Sequence, residues 1–329
     1  MGCSDTDWSN ADNWYPREIP QTRDVVYIDG LNNDPSIGSS IIAFGGSLHI
    51  EAGETLTNQG KYSGYSDIII ANGATASGNG DYALGRNWEN NGSFVAGSSR
   101  VTFNGPAVAT IGGSSSNDFY ELVSNKLSST VSVQEDCSVS EELLAKQGEL
   151  NILNGKEISG DALVLVQAPG SLSNNGTLSC DSLSIQNNGV LNYSGDIDVD
   201  GGILNKGSMQ GNGSYECGRF SMESTGSITL DGVLDVEGDI RSSGSLGGGG
   251  TYYCGESWVI LGGSFASNTS KVVMDGSTYA YVYFYDSDIG LYDFEIDKSA
   301  GSVVEVFGGF EVLNETLIKG GTLFIPSGN

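Results

Sequence analysis

Basic residues are scarce in this sequence. Its 14 Lys and Arg stand against 41 Asp and Glu, a formal net charge of −27. Nucleic-acid backbones are bound by clustered Lys and Arg, so the composition excludes nucleic acid as a natural partner and disfavours anionic membrane surfaces. It favours solubility and cation binding. No apolar run approaches the ~18 residues needed for a membrane span. There is one histidine, His49, and no Cys-x-x-Cys pair, which argues against a zinc site of the usual Cys/His type. Cys3, Cys137, Cys180, Cys217 and Cys254 are odd in number and widely spaced, so they form no disulfide framework. No signal peptide is visible, and the start reads as a processed terminus. Met1-Gly2-Cys3-Ser4-Asp5-Thr6 fits the loose N-myristoylation pattern, but that pattern is short and the rest of the chain reads as extracellular.

Glycine is plentiful, with 49 residues, and the hydrophobic content of 38% is rich in Val, Ile, Leu, Tyr and Phe. That is too much β-type apolar surface for a disordered acidic chain, so a core is expected. Its pattern repeats every 18 or 19 residues, marked by Gly170, Gly189, Gly207, Gly226, Gly244 and Gly263. Two residues after each stand Leu172, Leu191, Met209, Ile228, Leu246 and Phe265. Four before the first five stand Val166, Ile185, Ile203, Met222 and Ile240. Eight after come Leu178, Ile197, Tyr215, Leu234 and Tyr252; ten after come Cys180, Val199, Cys217, Val236 and Cys254. Offsets of two place side chains on one face of a strand, and polar residues fill the alternate positions. The glycines fall at corners that need unusual φ/ψ or no side chain. Each repeat is therefore one coil of a solenoid, burying its inner face against its neighbours. Successive cysteines then lie two coils apart, about 10 Å, too far for a disulfide. They are expected to be buried free thiols.

A longer repeat flanks these coils. Trp88 to Phe94 reappears as Trp258 to Phe265, Ser99 to Gly105 as Ser270 to Gly276, and Phe119 to Leu122 as Leu291 to Phe294. Lys126 matches Lys298, and Leu144, Gly148, Leu150 and Ile152 match Leu317, Gly321, Leu323 and Ile325. The expected organisation is a cap segment at 1–30, then a continuous solenoid over 31–329. Within it, long blocks at about 83–160 and 254–329 bracket regular coils at 161–253. The second block stops at Asn329 without the polar cap that solenoids need, which reads as a chain continuing further. In the cap, Trp8 and Trp14 either cover the apolar end of the first coil or stack on a sugar. Trp88 and Trp258, at matching places in both blocks, are expected to be structural.

The opening, Asp7-Trp8, Asn13-Trp14, Pro20 and Asp24-Val25-Val26-Tyr27-Ile28, resembles that of large secreted surface proteins of the Bacteroidota type. So do the stretch Gly46 to Thr57 and the blocks within residues 88–122. The resemblance is a style shared by many proteins and covers most of the chain. It implies a parallel β-solenoid, export by the type IX route, and kinship with adhesins, gliding-motility proteins and surface fibres. The C-terminal sorting domain of such proteins has no counterpart here. The resemblance carries over no catalytic residues. Together with the rule for parallel crossovers, it sets the expected fold: all-β, a right-handed parallel β-solenoid (β-helix) with an N-terminal Trp-containing cap.

Two surface constellations are candidate sites. Asp198 and Asp235 share an offset two coils apart, as do Asp200 and Glu237. Hard carboxylate oxygens suit calcium, and paired carboxyls also serve glycosidases; the plainer reading is a solvated acidic surface. Beyond calcium no cofactor is expected. Tyr279, Tyr281, Tyr283 and Tyr285 alternate with Ala280, Val282 and Phe284, so four tyrosines share one strand face. That face either packs under a loop or forms a platform for a glycan or protein. Basic residues that a polysaccharide lyase would need are few in the regular coils, namely Lys206, Arg219 and Arg241, and share no offset. His49 alternates with Leu48 and Ile50, hence faces solvent. Sequons at Asn91, Asn175 and Asn212 are expected by chance in Asn/Gly/Ser turns. The leading expectation is a non-enzymatic stalk or fibre subunit, secreted to a bacterial cell surface. It would contact cell-surface or matrix glycan or protein, with end-to-end self-association. A carbohydrate-binding module and a polysaccharide-active enzyme are the alternatives.

Overall fold

The computed structural model describes residues 5–30, 33–285 and 289–326. Cys3, the first four residues of the myristoylation pattern and the terminal Asn329 lie outside them. Among the described residues the chain is all-β, apart from one short 3-10 turn at Ala11–Asn13. Its backbone clusters into two compact units, 1–162 and 163–329. Each is a parallel β-solenoid.

In the second unit the strand registers follow four inward rows. Leu172, Leu191, Met209, Ile228, Leu246 and Phe265 align across successive coils. Leu178, Ile197, Tyr215, Leu234 and Tyr252 form a second row, and Cys180, Val199, Cys217, Val236 and Cys254 a third. All of these side chains are buried. Cys137, Cys180, Cys217 and Cys254 are free, and burial pushes each thiol up to about 12.

The fourth row differs from the expected one. Ile203 and Ile240 pair with Leu183 and Phe220, whereas Ile185 and Met222 pair with Asn205 and Ser242. The marker glycine is fixed by its corner, but the turn before it has two lengths. After Ile185 and Met222 a wider turn closes on backbone alone, with Gly189 N donating to Gln186 O and Gly226 N to Glu223 O, each at 2.8 Å. After Asn205 only Lys206 intervenes, and Gly207 N donates instead to Asn205 Oδ1 at 2.9 Å. Gly244 N likewise donates to Ser242 Oγ at 3.2 Å. Counting back four residues from the glycine therefore mixes two rows. The glycines themselves have no room for a side chain: a Cβ on Gly207 would stand 2.4 Å from Gly189 O, and one on Gly226 2.5 Å from Asn205 O.

The first unit has longer coils than the expected 18–19 residues. Leu48, Ile68 and Trp88 align at steps of 20, and Val101 aligns with Leu122, 21 residues on. A second inward row runs Ala43, Tyr62, Tyr82, Val101, Leu122, Leu143. Larger aromatics fill these wider coils. Trp88 is fully buried with its edge or face on Tyr82, Phe94 and Phe119, at 5.8, 4.7 and 5.6 Å between centroids. In the second unit Trp258 takes the same place between Tyr252 and Phe265, at 5.5 and 5.7 Å. The matched tryptophans are core, as their equivalence implied.

Two lysines repeat the equivalence at greater cost. Lys126 is fully buried, and its Nζ donates to Gly85 O at 2.6 Å and Asn104 O at 2.8 Å. Lys298 does the same toward Gly255 O, at 2.8 Å, and Asp275 O. Each ammonium ties its own coil to two coils below, and burial lowers its pKa, to about 8 for Lys126.

Candidate functional site

The carboxylates singled out in the second unit stand on outward positions. Asp198 pairs with Glu216, and Glu216 with Asp235, so three successive coils each present an acid on one line. Glu216 escaped notice in the sequence because its coil is the intervening one. Asp200, within strand Asp196–Asn205, and Glu237, at the bend after strand Val233–Val236, follow the inward Val199 and Val236. Burial, then the charges of Asp275 and Glu237, raise the Asp235 pKa. Among the described residues no three His, Cys, Asp or Glu side chains converge as a metal site. Lys206 is paired with Glu223 at 2.8 Å and Arg241 with Asp239 at 3.0 Å, so both sit in local ion pairs away from that line.

The tyrosine run lies on strand Ala280–Phe284. Ala280, Val282 and Phe284 point inward and are buried; Tyr281 and Tyr283 are half-buried, Tyr279 and Tyr285 exposed. Tyr279 donates its hydroxyl to Glu305, which raises its pKa. Tyr281 packs edge-on to Phe307, 6.3 Å between centroids. The four therefore share one outward face, with the two central rings partly covered by the neighbouring coil. His49 is outward as well, half-buried on strand Leu48–Ile50 with its ring stacked on Tyr27.

A further surface had no signal in any single motif. The strands Gly170–Asn174, Val190–Tyr193, Ser208–Gly211, Ser227–Leu230, Ser245–Gly247 and Ser264–Ala266 form one face of the second unit. None contains Asp, Glu, Lys, Arg or His. Their outward positions make two lines: Ser171, Val190, Ser208, Ser227, Ser245, Ser264, and Ser173, Asn192, Gln210, Thr229, Gly247, Ala266. At the edge of this face a shallow groove of about 400 Å³ is lined by Asn175, Asn192, Ser194, Gln210, Thr229 and Asp231. Its amides are held across coils: Gln210 Nε2 donates to Asn192 Oδ1 at 2.7 Å, and Ser194 Oγ to Asn175 Oδ1 at 2.8 Å. The signal available in the sequence was the exclusion of charge from the first and third residues after each marker glycine.

Residues 1–105 match the family model of a domain of unknown function, DUF8693. No curated protein and no solved structure matches the chain. Among the described residues, no helix is long and apolar enough to cross a membrane.

Proposed function

We propose that this chain is an extracellular structural and adhesive surface protein, a solenoid scaffold that makes contacts through ranks of outward side chains and catalyses no reaction. The observation that carries the reading is the uncharged face of residues 163–329. A strongly acidic body repels most biological surfaces, which are themselves largely anionic. A face free of charge, with hydroxyls and amides repeated at the coil spacing of about 4.8 Å, is where such a body can approach a neutral, ordered partner. Cell-surface or matrix glycan and protein are the partner classes that fit. A secreted, bacterial cell-surface location, with the type IX cargo style that the opening residues resemble, belongs to the same proposal.

The test is adhesion of beads coated with the chain to glycan-coated and protein-coated surfaces. Adhesion through an uncharged face survives high salt, because there is little Coulombic attraction to screen. The double variant Gln210→Glu/Thr229→Glu puts charge on the face and abolishes it. Adhesion that vanishes with salt, or that ignores the variant, refutes the proposal; release of soluble fragments from a glycan surface supports an enzyme instead. A second reading, a carbohydrate-binding module using Tyr279, Tyr281, Tyr283 and Tyr285, is favoured by the shared outward face of those rings. It requires that Tyr279→Ala/Tyr285→Ala lose sugar binding.

A further inference from the structure

A cleft lies between the cap segment and the first strand, Val26–Ile28, in the first unit. Its volume is about 540 Å³, within the range of roughly 300–1,000 Å³ usual for small-molecule pockets. Trp14, Tyr15 and Tyr27 supply its aromatic walls; Arg23, Glu18, Asp24 and Asp29 supply charge. Tyr15 is 90% exposed and Tyr27 56%, so two large rings stand in water beside one another's cleft. Exposed aromatic surface of this kind, concentrated in one concavity, marks a contact site more often than scattered apolar residues do.

Two of the three rings are already fixed. The Trp14 indole donates from Nε1 to Trp8 O at 2.8 Å, and its ring packs edge-on against the buried Trp8, 4.6 Å between centroids. Trp8 in turn packs on Tyr62 of the solenoid interior, at 6.0 Å. Tyr27 lies stacked on His49 at 4.6 Å, with 28° between planes. Rings held in place before a ligand arrives lose little entropy on binding. The two readings of the tryptophan pair thus divide: Trp8 covers the coil end, and Trp14 braces the cleft wall.

The charges decide what kind of ligand fits. Among the described residues, Arg23, Glu18, Asp24 and Asp29 are in no ion pair. A cation drawn to the aromatic faces would meet the Arg23 guanidinium. An anion drawn to Arg23 would meet Glu18, Asp24, Asp29 and the field of a chain with net charge −27. A purely apolar ligand would strip water from four ions without replacing its hydrogen bonds. A neutral sugar suits all the groups at once. Its C–H face lies on an aromatic ring, and its hydroxyls accept from Arg23 and donate to the carboxylates. We propose that this cleft binds a neutral pyranose unit of a polysaccharide. The site lies in the other unit from the uncharged face, so each proposal can fail without the other.

The test is electrophoresis of the whole chain through gels containing a neutral β-glucan, a neutral mannan or a neutral xylan, with chitosan and heparin as the cationic and anionic comparators. At least one neutral polysaccharide retards the chain. Tyr15→Ala and Arg23→Gln each weaken the retardation about tenfold, the loss of one good contact. Tyr65→Ala, a tyrosine 73% exposed and outside the cleft, leaves it unchanged. Thermal unfolding of each variant confirms that the fold is kept; Arg23→Gln carries the test if Tyr15→Ala unfolds. Retardation by none of the neutral polysaccharides, retention by chitosan or heparin alone, or retention indifferent to both variants overturns the proposal.

Discussion

The coil corners of this solenoid depend on a buried amide, and replacing it should cost more than its size suggests. Asn58, Asn90, Asn174 and Asn205 are all fully buried, two residues before a glycine. In each, Oδ1 accepts the glycine N–H, at 2.9–3.2 Å in Asn205 and Asn90, while Nδ2 donates to a backbone carbonyl about one coil later in the chain. For Asn205 that acceptor is Ser227 O at 2.9 Å. Asn205→Ala leaves Gly207 N–H and Ser227 C=O without these partners inside the coil stack. Each unpaired buried group costs about 1–3 kcal/mol, so the variant should lose about 2–6 kcal/mol. The chain carries its own comparison at the equivalent place, where Ser242 accepts from Gly244 N and reaches no later coil. Asn205→Ser should therefore restore one of the two bonds and roughly half the loss. Asn205→Asp keeps the acceptor but points a carboxylate at Ser227 O, and should be the worst of the three. Urea unfolding followed by hydrogen exchange of the 163–329 strands reads this, because a defect in a stacked array weakens its immediate neighbours first. Lost protection should centre on Gly207 and Ser227. An Ala variant within about 0.5 kcal/mol of the parent, a size usual for surface changes, or a Ser variant no better than Ala, would show that the amide does not close the corner.

Three further outcomes follow from the buried and half-buried ionisable groups. Burial, with a smaller push from Arg86, takes the Lys126 ammonium from 10.5 to about 8. The unfolded chain therefore binds more protons between those values, and the cost of the buried charge, fully present below pH 8, is relieved as pH rises. Relative to Lys126→Met, the parent should gain stability between pH 8 and 10 in paired denaturation curves; a flat difference refutes the buried charge. Asp235 has a raised pKa from burial and from Asp275 and Glu237, so its carboxylate opposes folding at neutral pH. Asp235→Asn should raise the melting temperature at pH 7, by less as pH falls through the Asp235 titration, and a lowered melting temperature at pH 7 contradicts this. It also separates the calcium proposal for Asp198, Asp200, Asp235 and Glu237: a melting rise specific to millimolar calcium, lost in Asp235→Asn, would establish a site there. Finally, the thiols of Cys137, Cys180, Cys217 and Cys254, pushed up to about 12 by burial, should stay unmodified by a disulfide reagent at pH 8 until the chain is unfolded. Peptide mass spectrometry that finds native labelling at Cys217 would contradict the coil register.

The inward rows were legible because parity in a strand is rigid. Leu178 and Cys180 must face the same way, and so must every pair at those offsets in later coils. The fourth row was not legible because its reference glycine lies across a turn, and turn length is set by how the turn closes. The same Asn-x-Gly pattern shows both outcomes. Asn187-Asn188-Gly189 sits on a wide turn with Asn187 exposed, whereas Asn205-Lys206-Gly207 sits on a tight one with Asn205 buried. Only the position of the preceding apolar residue distinguishes them: Ile185 ends its strand before the asparagine, while Ile203 places Asn205 two residues on, at inward parity. The candidate surfaces follow the same division. Asp198, Asp235 and the tyrosines at 279–285 are outward by parity alone. What binds at a surface depends on which outward residues neighbouring coils bring side by side, and that is register. Glu216 joined the acidic line, and the six strands from Gly170–Asn174 to Ser264–Ala266 became one uncharged face, only once register was fixed. The cleft of Trp14, Tyr15 and Tyr27 depends on neither parity nor register. Its cap segment has no strand period, and its placement comes from single contacts: Trp8 N to Ser36 O, and the Trp14 indole to Trp8 O. A segment held by such contacts is free to vary in sequence while the coils beneath it keep their pattern, so a site built on it can change ligand without disturbing the core.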